Sequence, residues 1–241
     1  MGRAFALVAA TIALAGCAAT PGEQSVRPSE PDENRGLENR AAAERFLADG
    51  LAHREPVARA PVPEGFRLRT ISEAGIALAL PPRWAALRSH DARQPGILRM
   101  FGGLSAELGP AVAALAAPDS PLKLLAFDPR LEDGFATTAS VVQTQIESGV
   151  PYATWSAEAV AYVRRLPNRR GTVVSHPVGL PFGMALRLDY SKLAGRRLVA
   201  TVQYVVVSDG QETIVTLTTL PALKQRYEGL FEASLRTLRP T

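Results

Sequence analysis

Six arginines stand in adjacent pairs beside predicted secondary-structure elements, and their side chains are suited to binding anions. A guanidinium group binds a phosphate or a carboxylate through two parallel hydrogen bonds. If folding brings the pairs together, they form a basic edge for anionic lipid headgroups or an acidic partner. The chain has only three lysines among its 27 basic residues, a bias typical of GC-rich genomes. The alternative is therefore that these arginines are solvated and reflect codon usage. The pairs are Arg164 and Arg165, Arg169 and Arg170, and Arg196 and Arg197.

Four aromatic side chains on separate predicted elements could line a cleft between a sheet and its helices. Such a cleft would suit a small apolar ligand or a lipid, and a pocket of about 300–1,000 Å³ beside them would favour this reading. The alternative is that they belong to an ordinary filled core. They are Trp84, Phe127, Trp155 and Tyr204.

The sequence contains no motif typical of a catalytic or metal site. The histidines His53, His90 and His176 have no partner at metal-ligand spacing. Glu132 and Asp133 are adjacent in a predicted loop, whereas glycoside hydrolysis needs two carboxylates on opposite sides of a cleft. No phosphate loop, dinucleotide-binding motif or serine-hydrolase motif occurs. We therefore expect no catalysis, no cofactor and no bound metal.

The single cysteine, Cys17, follows an apolar run from Ala4 to Leu14 that is typical of an export signal. This run is shorter than the roughly 20 apolar residues that cross a membrane. Leu14-Ala15-Gly16-Cys17 resembles the lipobox of bacterial lipoproteins, in which the cysteine thiolate accepts diacylglycerol. We predict a signal peptide over residues 1–17 and a lipidated Cys17, since two acyl chains anchor a protein stably. An ordinary cleaved signal and an uncleaved signal anchor are the alternatives.

Behind Cys17, residues 18–63 are polar and rich in proline, and residues 64–241 have the composition of a folded domain. The first stretch cannot bury enough apolar area to offset its ordering entropy, which predicts a flexible tether. A helix over residues 37–53 of that tether, free or docked, is left open. The first sixty residues carry seven arginines against eight acidic residues, and the rest of the chain carries twenty lysines and arginines against fifteen acids. Outside the cytoplasm this basic balance does not imply a nucleic-acid partner.

Alternation and helical spacing predict the elements that position these residues. Helices are expected around Leu104 to Leu115, from Trp155 to Leu166, and after Pro221, and the chain is expected to leave the sheet after Trp84. Asp209-Gly210 between two β-rich runs predicts a tight antiparallel hairpin, because glycine accepts positive φ. The fold class is therefore α+β. Strands are predicted over residues 66–71, 76–80, 123–128, 136–146, 172–178, 184–190, 198–208 and 212–219.

In order and spacing, six stretches resemble actinobacterial lipoproteins with a PsbP-like fold, a fold shared with the PsbP subunit of photosystem II and a Ran-binding import factor. The resemblance implies an antiparallel sheet of about six or seven strands with helices on both faces, an α/β/α sandwich. It also implies a non-catalytic adaptor that docks onto a larger partner. The stretches are Ala79–Trp84, Leu124–Asp128, Gly179–Leu188, Val202–Gly210, Val215–Thr219 and Leu230–Arg236.

Together these observations predict a lipid-anchored accessory or binding protein of the cell envelope that acts through protein contacts. Its expected location is the extracytoplasmic face of the cell membrane, or an outer membrane where the organism has one. The alternative function is a carrier or sensor of a small apolar ligand or lipid.

Overall fold

The computed structural model describes residues 60–94, 96–97, 100–101, 108–147, 150–208 and 210–241. Cys17, His53, Leu104, Asp209 and almost all of the predicted tether lie outside these residues.

A seven-stranded antiparallel sheet forms the centre of the fold, in the order β3-β4-β5-β9-β8-β7-β6. β2 lies between β1 and β10 in a second, three-stranded antiparallel sheet. The strands are β1 (Arg67–Ile71), β2 (Ile76–Leu80), β3 (Ala85–Arg88), β4 (Leu122–Phe127), β5 (Thr138–Gln145), β6 (Arg169–Leu180), β7 (Gly183–Ala194), β8 (Arg197–Ser208), β9 (Gln211–Thr219) and β10 (Arg239–Pro240).

Helices lie on both faces of the large sheet, because both faces carry apolar side chains that must be buried. On one face, α4 and the small sheet cover a core that includes Leu78, Tyr204 and Phe231. On the other face, α1 to α3 cover a core that includes Trp155 and Leu188. The fold is therefore α+β, as the sequence predicts. The helices are α1 (Ser89–Ala92), α2 (Leu108–Ala116), α3 (Tyr152–Arg165) and α4 (Lys224–Leu235), and short 3-10 turns occupy Ser72–Ala74 and Pro221–Leu223.

The hairpin predicted around Asp209-Gly210 is present between β8 and β9. Ser208 pairs with Gln211, so two residues connect the strands. Gly210 has a φ of +73°, a conformation that glycine adopts without steric cost. This hairpin fixes the register of β8 and β9, two largely buried strands.

One prediction is wrong at the sheet edge: the chain does not leave the sheet after Trp84. The Trp84 amide donates to the carbonyl of Pro81 at 3.1 Å, and this turn returns the chain to the large sheet as β3. β3 has four residues, too few to show a clear alternation. The two-residue β10 was not predicted either, since its pairing with β2 depends on residues far apart in the chain.

Candidate functional site

The strand register brings the predicted arginine pairs to one end of the large sheet. Arg164 and Arg165 end α3, Arg169 and Arg170 begin β6, and Arg196 and Arg197 stand at the turn from β7 to β8. Arg169 pairs with Lys192, two residues before β7 ends, and its Nε donates to the carbonyl oxygen of Arg164 at 3.1 Å. We call these six arginines, together with Lys192, the basic end.

The arginines of the basic end have no carboxylate partner among the described residues. Arg197 donates to the backbone carbonyl of Asp133 at 2.6 Å, and Arg170 donates to the carbonyl of Arg169 at 2.8 Å. Arg164, Arg165 and Arg196 are exposed. Contacts to carbonyl groups leave the positive charge uncompensated, so this end can attract an anion.

Two further arginines near this end are already paired with acids. The Arg130 Nη2 atom lies 2.6 Å from Oδ2 of Asp128, and the Arg226 Nη1 atom lies 3.3 Å from Oε1 of Glu132. Asp128 is completely buried and also accepts a hydrogen bond from the Tyr227 hydroxyl at 2.9 Å. These acids hold the loop after β4 against α4 and are not available to the arginines of the basic end.

Lys192 contributes a buried positive charge to the basic end. The residue is 4% exposed, and its ammonium group has no hydrogen bond or ion pair within the described residues. Burial lowers the pKa of Lys192 to about 8, so the group is still mostly charged at pH 7. Thr201 lies on the same face of the sheet, in a diagonal position on β8, and its buried Oγ1 atom also lacks a hydrogen-bond partner.

The structure does not bring the four predicted cleft aromatics together. Trp84 and Tyr204 belong to the core on the α4 side, whereas Phe127 and Trp155 belong to the core on the opposite face. All four are buried. A cavity beside Trp84 has a volume of only about 10 Å³, far below the size of a ligand pocket. In the described residues these aromatics act as core.

An ion network that links β7 to α4 was not predicted from the sequence. Arg187 donates from Nε to Asp189 at 2.7 Å and from Nη1 to Glu232 at 2.7 Å, and it also contacts Glu228. Lys224 donates to Asp189 at 2.8 Å. Burial alone would raise the pKa of Asp189, but the hydrogen bonds from Arg187 and Lys224 outweigh it and lower that pKa.

The sequence did contain a signal for this network. Arg187 and Asp189 are two residues apart on a strand, so they share a face, and Glu228 and Glu232 are four residues apart on a helix. Recognising it required knowing which face of β7 the last helix covers.

A second buried acid, Glu212, lies at the start of β9 against α3. Its carboxylate accepts hydrogen bonds from Nε1 of Trp155 at 3.1 Å and from the hydroxyl of Thr144 at 3.2 Å. No cation compensates it among the described residues. Burial raises the pKa of Glu212, and the two hydrogen bonds offset part of this rise.

The two described histidines lie apart from these clusters. Nε2 of the exposed His90 is 2.9 Å from Oδ1 of Asp91, and His176 is exposed on β6. Within the described ranges, no group of three or more histidine, cysteine, aspartate or glutamate side chains could hold a metal ion. No helix in those ranges is long and apolar enough to cross a membrane.

The comparisons with known proteins concern the fold. No family model matches the chain, and no curated protein sequence matches it. The chain is similar to the solution structure of cyanobacterial PsbP from Synechocystis sp. PCC 6803, with 12% identity and a TM-score of 0.49 over 78% of this chain and 100% of that one.

Two further solved structures are similar to this chain. LpqN, a Mycobacterium tuberculosis protein involved in cell envelope biogenesis, shares 14% identity with a TM-score of 0.46, over 69% of this chain and 83% of its own. A variant of the protein Mog1 shares 10% identity with a TM-score of 0.46, over 73% and 95% respectively. PsbP, which the sequence resemblance names, is thus among the proteins of similar structure. Since a fold hosts many functions, the function must be argued from this chain's own residues.

Proposed function

We propose that this chain is a lipid-anchored accessory protein of the cell envelope that acts by binding another protein, without catalysis. The anchor is supported by the lipobox-like sequence that ends at Cys17. Binding in place of ligand transport is supported by the positions of the four candidate cleft aromatics, which are buried in two separate cores on opposite faces of the sheet. The partner-binding element is β6, and its open edge is the observation that carries the proposal.

β6 is a twelve-residue strand at the edge of the large sheet, and within the described residues it pairs only with β7. Its outer side therefore presents unpaired backbone groups, which an extended segment of another chain can join as an additional strand. Val174, 55% exposed, is the most exposed large hydrophobic side chain of the described residues. A bulge between Arg170 and Val174 interrupts the first part of the edge, so residues 174–180 are the stretch on which a partner strand would pair. Within it, Pro177 offers a carbonyl acceptor but no amide donor.

Site-specific crosslinking in the native membrane tests this role of β6. A photoreactive amino acid at Val174 should capture one protein, identified by mass spectrometry, that a probe at the exposed Ala113 on α2 does not capture. The purified partner should then bind the purified chain and block the Val174 crosslink. Capture of only lipid or a metabolite would support the carrier function instead.

The anchor is tested separately by substitution of Cys17. Labelled palmitate should be incorporated into the wild-type chain and not into the Cys17→Ser variant, and the variant should move from the membrane fraction to the soluble fraction. Palmitate labelling of the variant would contradict lipidation at this cysteine.

A further inference from the structure

The basic end also carries exposed leucines. Leu131 is 40% exposed and Leu198 is 44% exposed. Leu198 follows Arg197 in β8, and Leu131 lies in the loop whose Asp133 carbonyl accepts a hydrogen bond from Arg197. Cations around exposed apolar side chains suit a bilayer surface, where the cations meet lipid phosphates and the apolar groups enter the boundary of the acyl chains.

The chain enters the domain at this same end. β1 begins at Arg67, which pairs with Leu80, the last residue of β2. A Cβ atom on Gly65 would lie 3.7 Å from Pro82, in the short connection from β2 to β3. The first residue of β3 pairs with the last residue of β4, which pairs with the first residue of β5. Across β9, this row of the sheet continues to the first half of β8, at the basic end. A tether from a lipid on Cys17 would therefore join the domain at its basic end.

Exposed acids lie at the opposite end of the sheet. Glu73 is in the turn between β1 and β2, Asp119 precedes β4, and Glu147 follows β5. β4 begins and β5 ends at the end opposite to the arginines. The acids at that end stand beside Arg93, Arg236 and Arg239, whereas the arginines of the basic end have no carboxylate partner among the described residues. An anionic surface would therefore orient the domain with the basic end inward.

We propose that the basic end, together with Leu131 and Leu198, is a membrane-binding surface for anionic phospholipid headgroups. The arginines contact lipid phosphates, the two leucines enter the headgroup boundary, and β6 extends away from the bilayer toward its partner. The proposed anchor at Cys17 places the domain near a bilayer, and this is the only part of the proposed function on which the inference rests. An acidic protein would also match the charge, and competition by an acidic peptide distinguishes it from the bilayer.

Vesicle binding by a chain without lipid tests the surface independently of the anchor. The mature chain, residues 17–241 with Cys17→Ser, is mixed with vesicles of equal parts phosphatidylglycerol and phosphatidylcholine, or of phosphatidylcholine alone, and sedimented. We expect binding to the anionic vesicles only, weakening as salt is added. Absence of binding to either vesicle would overturn the surface while leaving the palmitate result on Cys17 unaffected.

Two triple variants with the same change in net charge locate the binding surface. Arg164→Gln, Arg165→Gln and Arg170→Gln remove exposed charges from the basic end, and Arg93→Gln, Arg236→Gln and Arg239→Gln remove charges away from it. At roughly fivefold per arginine, we expect the first variant to bind about a hundredfold more weakly and the second to change by less than about fivefold. Leu198→Ser should also weaken binding.

Two outcomes would overturn the proposal. Equal losses in both triple variants would show that net charge alone drives binding. Tighter binding of a polyglutamate peptide than of anionic vesicles, lost in the first triple variant, would assign the basic end to an acidic protein. Circular dichroism of both variants verifies that the fold is retained.

Discussion

Lys192 and Glu212 are buried charged side chains without an oppositely charged partner in the described part of the chain. They lie on the same face of the large sheet, toward α1 to α3, but at its two ends. Removing a charge from water costs several kcal/mol unless a partner compensates it. Each residue therefore lowers stability at the pH where it is charged, and substitution should reveal this cost.

Lys192→Met should stabilise the protein at neutral pH. The folded pKa of Lys192, about 8, lies below its unfolded value of about 10.4. The free energy of unfolding is therefore highest above the unfolded pKa of Lys192 and decreases as the pH falls through about 8, because the folded protein then buries the charged ammonium group. The gain at pH 7 should be about 3 kcal/mol in unfolding free energy and should shrink below about 1 kcal/mol at pH 10. Urea titrations at both pH values measure it.

The matched control for this prediction is Lys123→Met. Lys123 is partly exposed and donates to the carbonyl of Ser120 at 2.8 Å. This variant should show no stabilisation that depends on pH. If Lys192→Met is no more stable than the wild type at pH 7, the ammonium group has a compensating partner.

Glu212→Gln should give the opposite pH dependence. The folded pKa of Glu212 is raised above its unfolded value of about 4.3, so the stability present below pH 4 is lost as the pH rises through the folded pKa. The amide keeps an oxygen that can accept the hydrogen bond from Trp155 and carries no charge. The stability of the variant relative to wild type should therefore rise between pH 4 and pH 8, by about 1.4 kcal/mol per unit of pKa difference.

Tryptophan fluorescence during urea unfolding at several pH values checks the Glu212 prediction. The control is Glu158→Gln on α3, because this partly buried acid has no hydrogen bond to another side chain in the described part of the chain. A difference between Glu212→Gln and wild type that is constant with pH would show that the carboxylate is not perturbed by burial.

At the scale of elements, the ion network between β7 and α4 stabilises the packing of the last helix on the sheet. Arg187 is 12% exposed at its side chain and contacts three carboxylates, and Arg187 also lies over the Tyr204 ring at 5.7 Å. Removing this cation leaves Asp189, Glu228 and Glu232 close together and only partly hydrated. Loss of one partner from such a network costs more than the net stabilisation by the intact pairs.

Arg187→Met should lower the unfolding free energy by about 2 kcal/mol at pH 7, a figure reduced from that of a fully buried pair because Glu228 and Glu232 are partly exposed. The lowered pKa of Asp189 means that its stabilisation is present above about pH 4 and is lost as the pH falls through the folded pKa. The difference from wild type should therefore shrink in acid. Chemical unfolding at pH 7 and pH 3 measures this difference, and Arg93→Met is the control. An unchanged unfolding midpoint at pH 7 would contradict a stabilising role for the Arg187 network.

The same elements show what could be predicted from sequence. β4, β5, β7, β8 and β9 have alternation and turn residues that are local properties of the chain, and their predicted positions agree with the structure. β3 and β10 are short and depend on distant partners, so no local pattern indicates them. The arginine pairs converge because they stand at strand ends that the antiparallel register aligns. The Arg187 network could not be predicted without knowing how α4 packs.

At the scale of the whole molecule, positive charge without a carboxylate partner among the described residues is concentrated at one end of the large sheet, and the chain enters the domain at this end. Neither property is visible in the net charge of +4, because it sums over both ends. A balanced surface with the same net charge would bind an anionic membrane in any orientation. The concentration of unpaired arginines at one end predicts one orientation, with the β8–β9 hairpin directed away from the bilayer.

Labels at the two ends measure this orientation. Cys17 is the only cysteine of the chain, so a Cys17→Ser background accepts a single new cysteine, either Leu198→Cys or Glu147→Cys, for a fluorophore. On anionic vesicles the label at position 198 should be quenched by a nitroxide attached to lipid and shielded from iodide in the buffer, because its end of the sheet faces the headgroups. The label at position 147 should be quenched by iodide and not by the nitroxide lipid. With phosphatidylcholine vesicles, the quenching of both labels should stay as it is in buffer. Equal iodide quenching of both labels on bound protein would show that the domain does not rest on its basic end.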